Sequence, residues 1–143
     1  MYHYTECGLD NVWLVNGYHV EEIDGEEFVS FEDAEELHKT IGRSLANKRA
    51  LNGVELRFLR KALGFSQRGL AELLGTTEQS VSLWERGAKV PTGEARLLKV
   101  LYLESVDGNI DVRETIARLV ELDEKENEKL VFKDTAEGWK LAA

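Results

Sequence analysis

The segment Leu63-Gly64-Phe65-Ser66-Gln67-Arg68-Gly69-Leu70-Ala71-Glu72-Leu73-Leu74-Gly75-Thr76-Thr77-Glu78-Gln79-Ser80-Val81-Ser82-Leu83-Trp84-Glu85-Arg86-Gly87 constrains the chain more than any other. It holds two short runs of helical apolar periodicity, each opened by a hydroxyl residue and closed by a glycine. Ser66 is placed to cap a helix over Gln67 to Leu74, with Leu70, Ala71 and Leu74 as the buried face. Gly75 supplies the turn, because a left-handed backbone is cheap only for glycine. Thr76 or Thr77 then caps a helix over Glu78 to Arg86, with Val81 and Trp84 inward, and Gly87 stops it. Helices this short do not persist alone in water, so neighbouring segments must cover them.

The flanks supply that cover. Asn52, followed at the third position by Glu55, forms a capping pair for a helix over Gly53 to Leu63, with Phe58, Leu59 and Ala62 inward and Gly64 as its end. Pro91-Thr92 opens another helix, in which Ala95, Leu98, Leu101 and Tyr102 recur at helical spacing. Packed behind the central pair, these two push the N-terminal end of the Glu78–Arg86 helix outward. A helix is thin enough to enter a DNA major groove, where each base pair shows its own donor and acceptor pattern.

Charge must be reconciled with that expectation. The 143 residues carry a formal net charge of -9, which by itself argues against a nucleic-acid partner. The distribution reverses the argument: Arg43 to Lys99 holds 11 Lys or Arg against 5 Asp or Glu, and the remainder 7 against 22. A basic middle with acidic ends is compatible with DNA binding. The ends weaken non-specific attraction and sharpen the dependence on salt and sequence, or are ordinary solvated surface.

Residues 1-30 read as a small acidic β-rich region. Val12-Trp13-Leu14-Val15 favours a strand and runs into the turn pair Asn16-Gly17. Strand character resumes at Tyr18 to Ile23, turns at Asp24-Gly25 and continues at Glu27-Phe28-Val29, giving a small antiparallel sheet. Glu21, Glu22, Glu26 and Glu27 protect its edges against stray pairing. Residues 31-51 read as a connecting helix over Phe31 to Lys48, capped by Ser30 with Asp33 as its acidic complement and striped by Ala34, Leu37, Ile41 and Leu45. His38 lies beside the stripe as a partly exposed surface histidine, and Gly42 either weakens this helix or lets another element approach closely.

The helix-turn-helix domain occupies 52-105. In 106-143, Asp111 and Glu114 cap a further helix carrying Ile116, Leu119, Val120 and Asp123, and the tail reads as a hairpin around Asp134 to Gly138. Phe132 and Trp139 in that charged tail must bury, against the N-terminal strands or those of a second subunit. The fold class is thus mainly α with a small β part: a helix-turn-helix bundle flanked by N-terminal strands and a C-terminal helix plus hairpin.

Residues 52-105 resemble the XRE family of phage repressor and Cro-like regulators. The resemblance rests on the Ser66-Gln67 opening, the Ala71-x-x-x-Gly75 link, the Val81-x-x-Trp84-Glu85-x-Gly87 ending and Pro91. It implies a lambda-repressor-like bundle and a DNA-binding role. Under it, Gln67 sits over the DNA backbone and braces a base-reading residue, while Glu78, Gln79 and Ser82 face the major groove with Leu83 near a thymine methyl. Thr77 caps its helix and touches phosphate, Ser66 does the same at the preceding helix, and Arg68, Arg86 and Lys89 clamp phosphates. Each also has a plainer reading: Gln79 and the basic residues as surface, Glu78 as a cap acid, Leu83 as packing, Trp84 as core. Glu85 reads as pairing locally to orient the domain.

The order of a small β-rich region before a repressor-like domain also resembles the MqsA group of antitoxins and their YgiT-type relatives. Those proteins hold zinc with paired cysteines, whereas this chain has only Cys7, and Cys7 with His3 cannot close a tetrahedral site. Trp13, Leu14, Tyr18 and Phe28 would have to replace the metal by packing. No metal, cofactor or disulfide is therefore expected.

Other classes are excluded on the same footing. No apolar run nears the roughly 20 residues of a membrane span, and the N-terminus shows no basic-then-apolar leader. His3, His19 and His38 are dispersed without a paired acid or nucleophile, so catalysis is not expected. The resulting expectation is a cytoplasmic regulator of double-stranded DNA, binding as a homodimer and repressing from a palindromic operator. The alternatives are an antitoxin-like protein that binds a toxin and autoregulates, or a protein-interaction adaptor that has lost DNA binding.

Overall fold

Residues 1–122 and 129–142, which the computed structural model describes, divide into two units. The first joins Met1–Ile41 to the C-terminal strands, and the second runs from Gly42 through the last helix.

In the first unit, β1 (Tyr2–His3), β2 (Val12–Leu14), β5 (Leu130–Thr135) and β6 (Gly138–Leu141) form one sheet in the order β1-β2-β5-β6. β2 and β5 run parallel, with Val12 opposite Leu130 and Leu14 opposite Phe132. Strand alternation sends Val12, Leu14 and Phe132 to one face, where they are fully buried together with Leu37 and Ile41. The hairpin β5–β6 thus buries Phe132 and Trp139 within the same chain. The indole N–H of Trp139 donates to the Glu32 carbonyl at 3.0 Å, and its backbone N–H donates to Glu36 at 2.8 Å.

Two expectations for this unit need correction. A single sheet turning at Asn16-Gly17 does not form: β3 (Tyr18–Ile23) and β4 (Glu26–Phe31) make a separate two-stranded sheet. The Asn16 side chain instead extends the β2–β5 ladder, accepting from the Asp134 backbone N–H at 2.7 Å and donating to its carbonyl at 3.2 Å. The Asp24-Gly25 turn does close β3 on β4, with φ of 52° and 80° at its two central residues, as a two-residue hairpin of matching twist requires.

The second correction concerns the connecting helix. Ser30 and Phe31 are taken by pairing with His19 and Tyr18, so helix α1 (Ala34–Ala46) starts later than Phe31 and ends before Lys48. Its cap is Asp33, whose carboxylate accepts from the Glu36 N–H at 3.2 Å. His38 is half-buried, in keeping with a partly exposed histidine, and its Nε2 lies 2.7 Å from the Tyr4 hydroxyl in a hydrogen bond.

The second unit contains α2 (Gly53–Ala62), α3 (Gln67–Leu74), α4 (Glu78–Glu85), α5 (Thr92–Asp107) and α6 (Val112–Leu122). Asn52 and Glu55 form the expected reciprocal box: the Asn52 side chain accepts from the Glu55 N–H, and the Glu55 carboxylate accepts from the Asn52 N–H, both at 2.9 Å. The inward face of α2 is Leu56 and Leu59, while Phe58 is half-buried and Ala62 exposed. The helix is rotated from the expected face because Leu56, one turn before Arg60, is the residue that meets the core. Leu70, Val81, Trp84, Ala95, Leu98 and Tyr102 complete it. Leu74 and Leu101 lie at its margin, only half-buried.

Gly42 serves close approach: a Cβ there would collide with the ring of the buried Tyr102. Lys99 is fully buried, and its ammonium donates to the Lys48 and Arg49 carbonyls at 2.8 Å each, tying α5 to the chain that leaves α1. In α6, Asp111 caps through the Glu114 N–H at 2.9 Å. Leu119 is buried as expected, but Ile116 and Val120 are exposed. Asp123 lies outside the described residues. No helix among the described residues is long and apolar enough to cross a membrane.

Candidate nucleic-acid interface

The pair α3–α4 is set by its caps. Ser66 holds extended backbone geometry and its hydroxyl accepts from the Gly69 N–H at 2.9 Å. Gly75 ends α3 at φ 74°, and the N–H of Thr76 returns to the Ala71 carbonyl at 2.9 Å, the left-handed closure that glycine permits without strain. Of the two threonines offered as caps for α4, Thr77 takes the role, accepting from the Ser80 N–H at 3.1 Å and donating to the Ser80 hydroxyl at 3.0 Å.

Val81 and Trp84 bury one face of α4. At about 100° per residue, Glu78, Gln79 and Leu83 fall on the outward side and are exposed, with Ser82 half-buried beside them. Leu83 keeps 44% of its surface in solvent, a large apolar side chain on an otherwise polar face. The negative charge of Glu78 complements the positive end of the α4 dipole.

The other end of α4 is clamped. Glu85 and Arg60 are 5% and 9% exposed, and the guanidinium donates twice to the carboxylate, Nε to Oε2 at 2.6 Å and Nη2 to Oε1 at 3.0 Å. Its remaining arm donates to the Phe65 carbonyl at 2.9 Å, in the link between α2 and α3. Gln67 joins the same carboxylate, Nε2 to Oε1 at 3.3 Å. One buried network therefore fixes the end of α4 against α2 and against the start of α3. Gly53 completes the contact: a Cβ there would strike the Trp84 carbonyl and lie 2.8 Å from that of Glu85.

The geometry gathers Gln67, Glu78, Gln79, Ser82 and Leu83 on α3 and α4, and Ser66, Arg68, Thr77, Arg86 and Lys89 at or near their ends. Arg68 is 77% exposed, 3.6 Å from Glu72 one turn on. Arg86 is exposed and its Nε donates to the Ser82 carbonyl at 3.3 Å, while Lys89 is fully on the surface side. Gln67 is half-buried with its amide committed to Glu85, so it braces the clamp. Arg60 and Gly53 escaped the sequence reading. The one signal was Glu85 itself, which called for a cation without singling out Arg60, 25 residues away.

Among the described residues no group of His, Cys, Asp and Glu side chains could hold a metal ion. No curated protein and no solved structure matches the chain. The model of the helix-turn-helix family HTH_3 matches residues 56–100, from within α2 into α5, and leaves the acidic first unit unmatched. Residues 56–100 are thus similar to a helix-turn-helix family, and the rest of the chain lies outside the match.

Proposed function

We propose that the protein is a transcription regulator that binds double-stranded DNA sequence-specifically, acting in the cytoplasm as a homodimeric repressor on a palindromic operator. The observation that carries this reading is the outward face of exposed Glu78, Gln79 and Leu83 with half-buried Ser82, on a helix clamped through Glu85 and Arg60. A reading surface held rigid before binding loses little freedom on docking.

In this reading α4 enters the major groove by its N-terminal turns. The Gln79 amide donates to and accepts from adenine N6 and N7 in one plane, Glu78 accepts from cytosine N4, Ser82 contacts either type of edge and Leu83 packs on a thymine methyl. Ser66, Thr77, Arg68, Arg86 and Lys89 contact phosphates and set the register. The first turn of α3 carries no acid, so its free N–H groups can also face a phosphate. One such module buries too little surface for tight recognition, which is why two copies on two-fold half-sites are invoked.

Selection of duplexes from a randomised pool by the full protein tests this. Enrichment of a two-fold symmetric site supports the reading. Absence of any enrichment at low salt refutes it and favours an interaction adaptor.

A second reading has its own support. Residues 1–38 contain no Lys or Arg, while β3–β4 alone presents Glu21, Glu22, Asp24, Glu26 and Glu27, all exposed. Such a surface attracts a basic protein partner, which would make the regulator antitoxin-like: binding a toxin through the first unit and controlling its own transcription through the second. Capture of one stoichiometric basic partner that releases on substitution of these acids would support it.

A further inference from the structure

We infer that the outer edge of β3 is a docking site for an extended strand of a basic protein, selected by the order apolar-basic-basic-apolar; the inference rests on the reading that the first unit takes a basic partner, and specifies how. The hairpin β3–β4 is a sheet of two strands only, and His19 to Ile23 are all exposed. A two-stranded hairpin is marginally stable until a third strand or a covering element joins it. Among the described residues β3 pairs with β4 alone.

The ladder fixes which backbone groups look outward. Antiparallel pairs alternate between those that exchange both backbone hydrogen bonds and those that exchange none. Ile23 and Glu26 flank the two-residue turn as a bonded pair, and the Glu32 N–H donates to the Gly17 carbonyl at 2.9 Å, so the odd positions of β3 bond to β4. The N–H and C=O of Val20 and Glu22 therefore point away from β4, as an edge that can accept a further strand.

Side chains identify the occupant. Val20 and Ile23, each 52% exposed, enclose Glu21 and Glu22. β4 brings neither glutamate a cation: Glu21 stands opposite Phe28, and Glu22 opposite Glu27. Like charges directly opposite destabilise a ladder. Residues 1–38 hold no Lys or Arg, and His19 is engaged by Glu32 at 2.6 Å. An added strand would set its side chains beside Val20, Glu21, Glu22 and Ile23 on the same faces in turn. Two cations between two apolar residues answer that order, and because the order is symmetrical they answer it in either strand direction. A second copy of this edge does not, since it brings the same carboxylates and no Lys or Arg.

Titration of the full chain with short synthetic peptides, followed by nuclear magnetic resonance, tests the inference. A peptide with the core Val-Lys-Lys-Val is expected to bind and to slow amide exchange at Val20 and Glu22. N-methylation of its bonding amides should weaken it about tenfold. The core Lys-Val-Val-Lys should bind several-fold more weakly, and Val-Glu-Glu-Val not at all. Glu21→Lys together with Glu22→Lys should reverse the preference toward Val-Glu-Glu-Val, with circular dichroism unchanged because both side chains are exposed. Failure of the lysine peptides to bind overturns the inference, as does unaltered exchange at Val20 and Glu22, or self-association that protects these amides without peptide. Equal binding of every lysine peptide, N-methylated or reordered, overturns the edge and leaves the basic-partner reading standing. Strand addition by a chain that captures no basic protein overturns the antitoxin-like reading and leaves the edge.

Discussion

Glu85 and Arg60 carry the geometry of the reading helix although neither is positioned to touch a base. Removing one member leaves the other charged, buried and short of partners, which costs about 3–5 kcal/mol. Glu85→Ala is therefore expected to lower stability by that amount in denaturant titration. Replacing both with apolar residues, Arg60→Met with Glu85→Leu, should cost less than either single change. Gly53→Ala probes the same contact from the backbone side. Alanine ordinarily improves a helix by about 1 kcal/mol over glycine, but here the methyl meets the Trp84 and Glu85 carbonyls, so a net loss of about 1–3 kcal/mol is expected. Residue-scale features were legible where the signal is local: the Asn52–Glu55 box, the Ser66 cap and the Gly75 turn are each written within a few positions. Arg60 lies 25 residues from Glu85, and nothing near it in the chain announces its partner.

At the scale of elements the same contrast holds. The helices of the second unit came within a few residues of their observed bounds, because caps and glycines punctuate them. The strands came as close in their bounds, Tyr18–Ile23 among them, but not in their pairing. Whether Val12–Leu14 pairs forward across Asn16-Gly17 or with a segment more than a hundred residues away depends on burial of Phe132 and Trp139, which alternation alone does not encode. Ser30 has the chemistry of a cap but lost that role to strand pairing. The contact of α1 with Tyr4, just after β1, makes a pH prediction. Burial pushes the His38 imidazole below its ordinary value, and burial likewise pushes the Tyr4 hydroxyl up to about 12. The Tyr4 hydroxyl and His38 Nε2 share a hydrogen bond of 2.7 Å in this half-buried site. The unfolded chain thus binds the proton first, and stability falls as pH drops below about 6.5. Thermal unfolding should show a loss as pH falls through about 6.5 that shrinks in His38→Gln, which keeps a polar partner for Tyr4.

For the whole molecule, the opposition of charge between the middle of the chain and its ends was visible in the sequence and survives in the fold. The basic residues proposed to meet phosphate lie on the second unit, and the densest run of carboxylates lies on the first. What the sequence could not show is the division into two units, since the first is closed by strands from both ends of the chain. If Arg68, Arg86 and Lys89 each neutralise a phosphate in both copies, binding should weaken with salt at a logarithmic slope of about -5. Lys89→Ala should reduce that slope by about 2 in a dimer and weaken every sequence alike.

The most direct test of α4 as the reading element is the affinity of wild type and Gln79→Ala for the selected duplex and for variants changed one base pair at a time. The account predicts that wild type loses about 1–3 kcal/mol at one adenine per half-site, and that Gln79→Ala loses discrimination at that position while retaining it elsewhere. Equal weakening on every duplex, or an unchanged profile, would contradict it.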